Sequence, residues 1–195
     1  MTNSNLILAN VSKHIELDDK ERDLFLSILK PKLLKRRKIY LRQGTVCKHV
    51  AFVLNGALKS YNVDGDGKQH ILNFATRDWW IADLYSFISQ KPAVLNIETI
   101  EESEVLLLAQ KDQEMLYEKI PKFERFFRIL VENALVASQQ RLIDNMSLTA
   151  EERYLRFIKK YPSIPVLVPQ HSIASYLGIT PEFLSKIRSR LARKE

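Results

Sequence analysis

The side chains best suited to specific chemistry lie in the run QHSIASYLGITPEFLSKIRSRLARK, from Gln170 to Lys194. Glu182, Ser185, Lys186 and Ser189 recur there at helical spacing, with Arg188, Arg190, Arg193 and Lys194 around and beyond them. Short polar and basic groups on one exposed helix face have the size and the donors to enter the major groove of a nucleic-acid duplex. Lys186 can donate to guanine O6 or N7, Glu182 can accept from cytosine N4, and the small Ser185 permits close approach. Gln170, His171 and Thr180, with the helix N-terminus at Pro181, are candidates for phosphate contact.

That face needs a partner helix to hold it out. Ile173, Ala174 and Leu177 fall on one side of a short first helix. Gly178 follows at once, where a tight turn between helices needs a residue that tolerates left-handed backbone. Thr180 can cap the second helix, Pro181 suits its first position and Glu182 its first turn. Leu184, Ile187 and Leu191, spaced three and four apart, bury the other side. Cap, turn, buried face and polar face agree on a helix-turn-helix. Upstream, Thr149-Ala-Glu-Glu152 is a capping-box pattern ahead of Tyr154, Leu155, Phe157 and Ile158, so residues 148–195 read as one small helical module. That module holds 9 Lys or Arg against 4 Asp or Glu, whereas residues 1–147 hold 21 against 19. A basic module beside a near-neutral body favours a polyanion partner.

Residues 17–30 predict a short amphipathic helix, capped by Asp18 with Glu21 three residues on and limited by Pro31. Between residues 35 and 110, short apolar runs alternate with Gln43-Gly44, Asn55-Gly56 and Asp64-Gly65-Asp66-Gly67 turns, the pattern of a small antiparallel sandwich or jelly roll. Residues 121–145 predict a long helix with two apolar stripes. One is Phe123, Phe127, Leu130, Ala134 and Ala137; the other is Phe126, Ile129, Val136 and Ile143. One side is expected to pack on the β domain. The other, assigned to the stripe from Phe123 to Ala137, is expected to pack on a second copy of the helix as a parallel coiled coil.

Composition narrows the classes further. No apolar run is long enough to cross a bilayer, and the N-terminus lacks a secretory pattern, so a cytoplasmic location is expected. Cys47 is the only cysteine, which excludes a disulfide or a cysteine-held iron–sulfur cluster within one chain, though the thiol itself is a candidate for redox sensitivity. His14, His49, His70 and His171 show no metal spacing, so no cofactor is expected. There is no nucleophile–base pair and no phosphate-cradling glycine loop, so an enzyme is not expected.

The order of parts resembles the Crp/Fnr family of bacterial regulators over nearly the full length. The resemblance rests on Arg42-Gln-Gly44, on Leu54-Asn-Gly-Ala-Leu58, on the long helix, and above all on the segment from Ile173 to Arg188. It implies an α+β chain: a jelly-roll-like β-roll sensor over residues 1–120, a dimerisation helix over 121–147 and a winged-helix-like, helix-turn-helix DNA-binding domain over 148–195. By position, Pro181, Glu182 and Lys186 match the residues that most often read bases in relatives. Relatives often add a β-hairpin wing; here the only stretch offered for one is the short segment before Pro169. Cyclic-nucleotide-binding relatives carry a Gly-Glu pair for the ribose and phosphate, then an Arg-Ser or Arg-Thr pair that neutralises the phosphate. Here those pairs fall on Ala82-Asp83 and near Ala93–Asn96, with no arginine. A buried phosphate without a cation is costly, so tight binding of cyclic AMP is not expected. Trp80, Ala82 and Asp83 are left as candidates for the pocket of another effector.

The expected function is therefore sequence-specific transcription regulation by a homodimer on palindromic double-stranded DNA. An unknown small-molecule effector and RNA polymerase are further candidate partners. The alternative keeps the fold but makes the β domain the working part, a small-ligand or protein-binding sensor with weak or vestigial DNA binding.

Overall fold

The computed structural model describes residues 3–193. Helices α1 (Asn3–Ser12) and α2 (Asp19–Ile28) lead into strands β1 (Lys30–Leu34), β2 (Ile39–Leu41), β3 (His49–Asn55), β4 (Leu58–Val63), β5 (Gln69–Ala75) and β6 (Trp80–Ile81). Helix α3 (Leu84–Ser89) then precedes β7 (Asn96–Thr99) and β8 (Ser103–Ala109). Helices α4 (Gln110–Lys119), α5 (Lys122–Ser147), α6 (Ala150–Lys160), α7 (Ile164–Leu167), α8 (Gln170–Leu177) and α9 (Pro181–Ala192) complete the chain. The strands form two antiparallel four-stranded sheets, ordered β1-β8-β3-β6 and β2-β7-β4-β5. The class is α+β with a β-roll, as the resemblance implies. No helix among the described residues is long and apolar enough to cross a membrane.

Strand β3 sets the first sheet. Its run Val50–Leu54 is buried throughout, because it pairs with β8 on one edge and β6 on the other and lies beneath α1. Ala51 stands opposite Leu107 and Val53 opposite Val105. The edge strand β1 is marked by Lys30, Pro31 and Lys32, all exposed, which is how a sheet edge is kept from pairing further. Sequence reading takes Pro31 as the end of a helix and so misses this strand. The basic run Lys35–Lys38 lies between β1 and β2. Thr99 pins it, its Oγ donating to the Lys35 carbonyl at 2.7 Å and accepting from the Lys38 N–H at 2.8 Å.

Two apolar cores organise the packing. The first joins the roll to α1, α2 and the start of α5; Phe25 and Phe123 lie 4.7 Å apart, ring to ring. Capping of α2 follows the expected box, with the Asp18 carboxylate accepting from the Glu21 N–H and the Glu21 carboxylate accepting from the Asp18 N–H, both at 2.9 Å. The second core joins β4 and β5 to α6, α7, α8 and α9. Phe74 of β5 is its hub, with the rings of Phe157, Tyr161 and Tyr176 at 5.9, 5.8 and 5.5 Å. The helical module therefore shares a core with the roll.

Helix α5 requires a correction. Phe123, Phe126 and Phe127 are buried in the first core and Leu130 packs against it, so the stripe proposed for a second copy begins inside its own chain. Ala134 and Ala137 continue that same inward side but are exposed, since the core ends before them. The apolar residues turned away from the chain are instead Val131, Leu135, Leu142 and Met146, flanked by Val136 and Ile143, and all are exposed. The two-stripe pattern correctly marks a helix with two surfaces to satisfy, but both stripes open with a buried phenylalanine, and the outward row through Val131, Leu135, Leu142 and Met146 is neither of them.

Candidate nucleic-acid interface

The helix-turn-helix forms as its residues dictate. α8 ends at Gly178 in the left-handed conformation, φ 68°, and the Ile179 N–H returns to the Ala174 carbonyl at 3.0 Å. Thr180 caps α9, its hydroxyl accepting from the Phe183 N–H at 3.2 Å, and Pro181 takes the first turn. Leu184 and Ile187 are buried against Ile173, Ala174 and Leu177.

This packing leaves Gln170, His171, Thr180, Pro181, Glu182, Ser185, Lys186 and Ser189 exposed, as expected. Ser185, Lys186 and Ser189 line one open groove with Arg190 and Arg193. Arg188 does not join them; it is half-buried and stands off that face by helical position. Lys194 lies outside the described residues. Arg190 is held at 3.1 Å from the Glu151 carboxylate in the first turn of α6, which fixes the far end of the groove. Glu182 is kept ionised: its own N–H and the Thr180 hydroxyl hold its carboxyl below the usual range. An ionised acceptor, a lysine and small hydroxyls on one exposed helix face are groups that can meet base edges. The ring of Phe183 is also exposed beside this face, an apolar group that a polar pattern does not mark.

The stretch before Pro169 offered for a hairpin wing is the helical turn α7. Among the described residues no strand follows β8.

The module is seated on the roll by polar contacts as well as by the shared core. Ser175 of α8 donates to the Gln69 carbonyl at 2.7 Å and accepts from the Ile71 N–H at 3.1 Å, at the edge strand β5. Arg141 of α5 donates to the carbonyls of Ile71, Leu72 and Tyr176, bridging roll, long helix and α8.

The candidate effector residues are all engaged in structure. Trp80 donates from Nε1 to Asn10 of α1 at 3.0 Å, and its ring meets Phe52, Phe126 and Phe127, so it ties α1 and α5 to the roll. Ala82 packs on the first core. Asp83 is buried and caps α3; its carboxylate accepts the Ser86 N–H at 3.0 Å and the Val94 and Leu95 N–H groups at 2.9 Å each. These correct the pocket assignment. The Val94 and Leu95 backbone donors, beside the Ala93–Asn96 segment, are taken by this internal carboxylate. Cys47 is buried as well, and burial pushes its thiol up, so it is a poor thiolate for redox chemistry.

A β-roll, a long helix and a helix-turn-helix in this order have the fold of Crp/Fnr-type regulators. Residues 31–119 match the family model of the cyclic nucleotide-binding domain. The "Anaerobic regulatory protein" of Pasteurella multocida is 22% identical over 195 residues, covering 91% of this chain and 68% of that protein. The "Transcriptional activator protein anr" of Pseudomonas aeruginosa is 22% identical over 168 residues, covering 80% and 68%. Among solved structures, FixK2 from Bradyrhizobium japonicum superposes with a TM-score of 0.77 at 19% identity, covering 86% of each chain.

Proposed function

We propose that the chain is a sequence-specific DNA-binding transcription regulator of the Crp/Fnr type, a homodimer on a palindromic operator, whose effector is not cyclic AMP. The observation that carries it is α9: capped by Thr180, buried on one side through Leu184 and Ile187, and holding Glu182, Ser185, Lys186 and Ser189 out on the other. That both curated relatives are named as regulators supports it. The outward apolar face of α5 supports the dimer, since six large apolar side chains on one helix favour burial against a second copy. Two recognition helices in such a dimer read half-sites about 34 Å apart, one helical turn. Against cyclic AMP stands the Asp83 carboxylate, which a ligand phosphate would meet as a like charge.

The test is selection from a random duplex pool by the purified, ligand-free protein at fixed salt, because phosphate contacts make affinity salt-dependent. An enriched inverted repeat is expected. A single unrepeated site would remove the dimer from the reading, and no enriched sequence would remove specific DNA recognition.

A further inference from the structure

A cleft of about 280 Å³ lies where α5, α6 and α8 meet, and none of the exposed side chains of α9 lines it. Its lining includes four cations, Arg141, Arg153, Arg156 and Lys160, and one carboxylate, Asp144. Asp144 pairs with Arg156 at 2.5 Å. The other three cations form no ion pair among the described residues. Arg141 donates to three carbonyls, and Lys160 sits over the rings of Tyr161 and Trp79 at 5.1 and 5.9 Å. Arg153 donates from Nη1 to the Asn145 carbonyl at 3.2 Å, while its Nε–H is buried and makes no hydrogen bond to the chain. Burial first, then the nearby Arg141, holds the Lys160 ammonium below its usual pKa.

Gathering like charges around a partly enclosed space is unfavourable unless an anion fills it. Guanidinium forks suit a planar or tetrahedral oxyanion that accepts two bonds at once. The walls Phe157 and Tyr176 add apolar, flat surface for a small body attached to it. We propose that this cleft binds a small multivalent oxyanion, such as a phosphate-bearing metabolite, and that the bound anion sets how the helix-turn-helix sits on the roll. The second half follows from Arg141, whose three carbonyl acceptors belong to β5 and α8. An anion in the cleft competes with those carbonyls for the same guanidinium. The binding stands without the regulator reading; only its consequence for DNA rests on it.

The test is calorimetric titration of the full chain with inorganic pyrophosphate, at matched ionic strength and without DNA. Saturable binding of one pyrophosphate per chain is expected, tighter than inorganic phosphate. Arg156→Gln and Arg153→Gln should each weaken it about tenfold or more, the scale of one lost charge-assisted contact. Asp144→Asn removes the one like charge and should tighten binding, a gain that misfolding cannot mimic. Lys186→Ala, on the α9 face, should leave it unchanged. Absence of saturable binding, or binding indifferent to all three cleft variants, overturns the proposal. Equal loss in Lys186→Ala, or competition by any duplex DNA, would mean that pyrophosphate was reporting the DNA-backbone surface, and would overturn it too.

Discussion

The guanidinium carbon of Arg141 lies 4.1 Å from the centroid of the Tyr176 ring, and its Nη2 donates to the Tyr176 carbonyl at 2.9 Å. One side chain of the long helix thus holds both the ring and the backbone of α8, while its other nitrogen reaches the roll. Arg141→Ala leaves three carbonyls short of a donor and removes the cation from the ring. The expected cost is about 2–4 kcal/mol. In a chain of this size that is a fall of roughly 4–16 °C in Tm. Arg141→Lys should recover only part, since an ammonium cannot span three acceptors as a planar fork does. Amide exchange at Ile71 should accelerate alongside; a stable variant with unchanged exchange would mean that the aromatic core seats the module alone.

Lys186 and Arg188 separate base reading from bulk charge. Lys186→Ala should cost about 1–3 kcal/mol at one base position of the selected operator and little elsewhere. Arg188→Ala, off the groove face, should not change base preference. Quantitative competition with single-base variants of the operator decides it. Equal loss on every sequence would make Lys186 a phosphate contact.

The outward face of α5 should govern assembly. Replacing Leu135 and Leu142 together by Glu should give a folded monomer in sedimentation velocity. Phe127→Ala should instead cost about 3–5 kcal/mol in denaturation and leave assembly unchanged, because that ring lies in its own chain's core. A dimer that survives the double replacement would place the contact elsewhere.

Much of this architecture is legible in the residues because local and tertiary signals coincide. Asp18, Thr149, Gly178 and Thr180 each name a helix boundary, and the structure puts a cap or turn at all four. The recognition face is legible for the same reason: Leu184 and Ile187 fix which side is buried. Where only tertiary contact decides, the sequence is silent. Pro31 is equally suited to ending a helix and to lying in an edge strand, and β8 settles the matter. Both stripes named on α5 open with a phenylalanine that the core takes in, and the outward row through Val131, Leu135, Leu142 and Met146 is told apart only once the roll is in place. Asp83 looks like a ligand-binding acid from position alone; only the folded loop brings the Val94 and Leu95 N–H groups to it.

Gly56 should be among the least replaceable residues. Its φ is 87°, and an added Cβ would fall 2.4 Å from Ser103 Oγ and 2.6 Å from the Glu102 carbonyl oxygen. Gly178 has φ 68° but open space around it. Gly178→Ala should then cost only the left-handed strain, about 1–2 kcal/mol. Gly56→Ala adds a clash with backbone and should cost more, to be read from urea midpoints of the two variants. Similar midpoints would show that the Glu102–Ser103 turn yields.

His49 should give the roll a mild acid sensitivity. Burial first, then Lys30 and Lys32 of β1 and the neighbouring Lys48, hold its pKa below the ordinary value, against an opposing pull from Asp112 of α4. The unfolded chain therefore binds more protons just below about pH 6.5, so stability rises with pH there. The contribution is full above that value and is lost as pH falls through it. Denaturation midpoints between about pH 7.5 and 5 should fall less steeply for His49→Gln than for the unaltered chain. Parallel curves would assign the slope to other groups.

The seat of α8 on β5 also limits how the DNA-binding helices can move. β5 is the last strand of its sheet, and Ser175 supplies both a donor and an acceptor to its open side, over the buried ring of Phe74. A module that swung free would bare a strand ready to pair with any passing chain and a sticky aromatic beneath it, the makings of a precipitate. Covering that edge thus ties the position of α8 to the solubility of the roll.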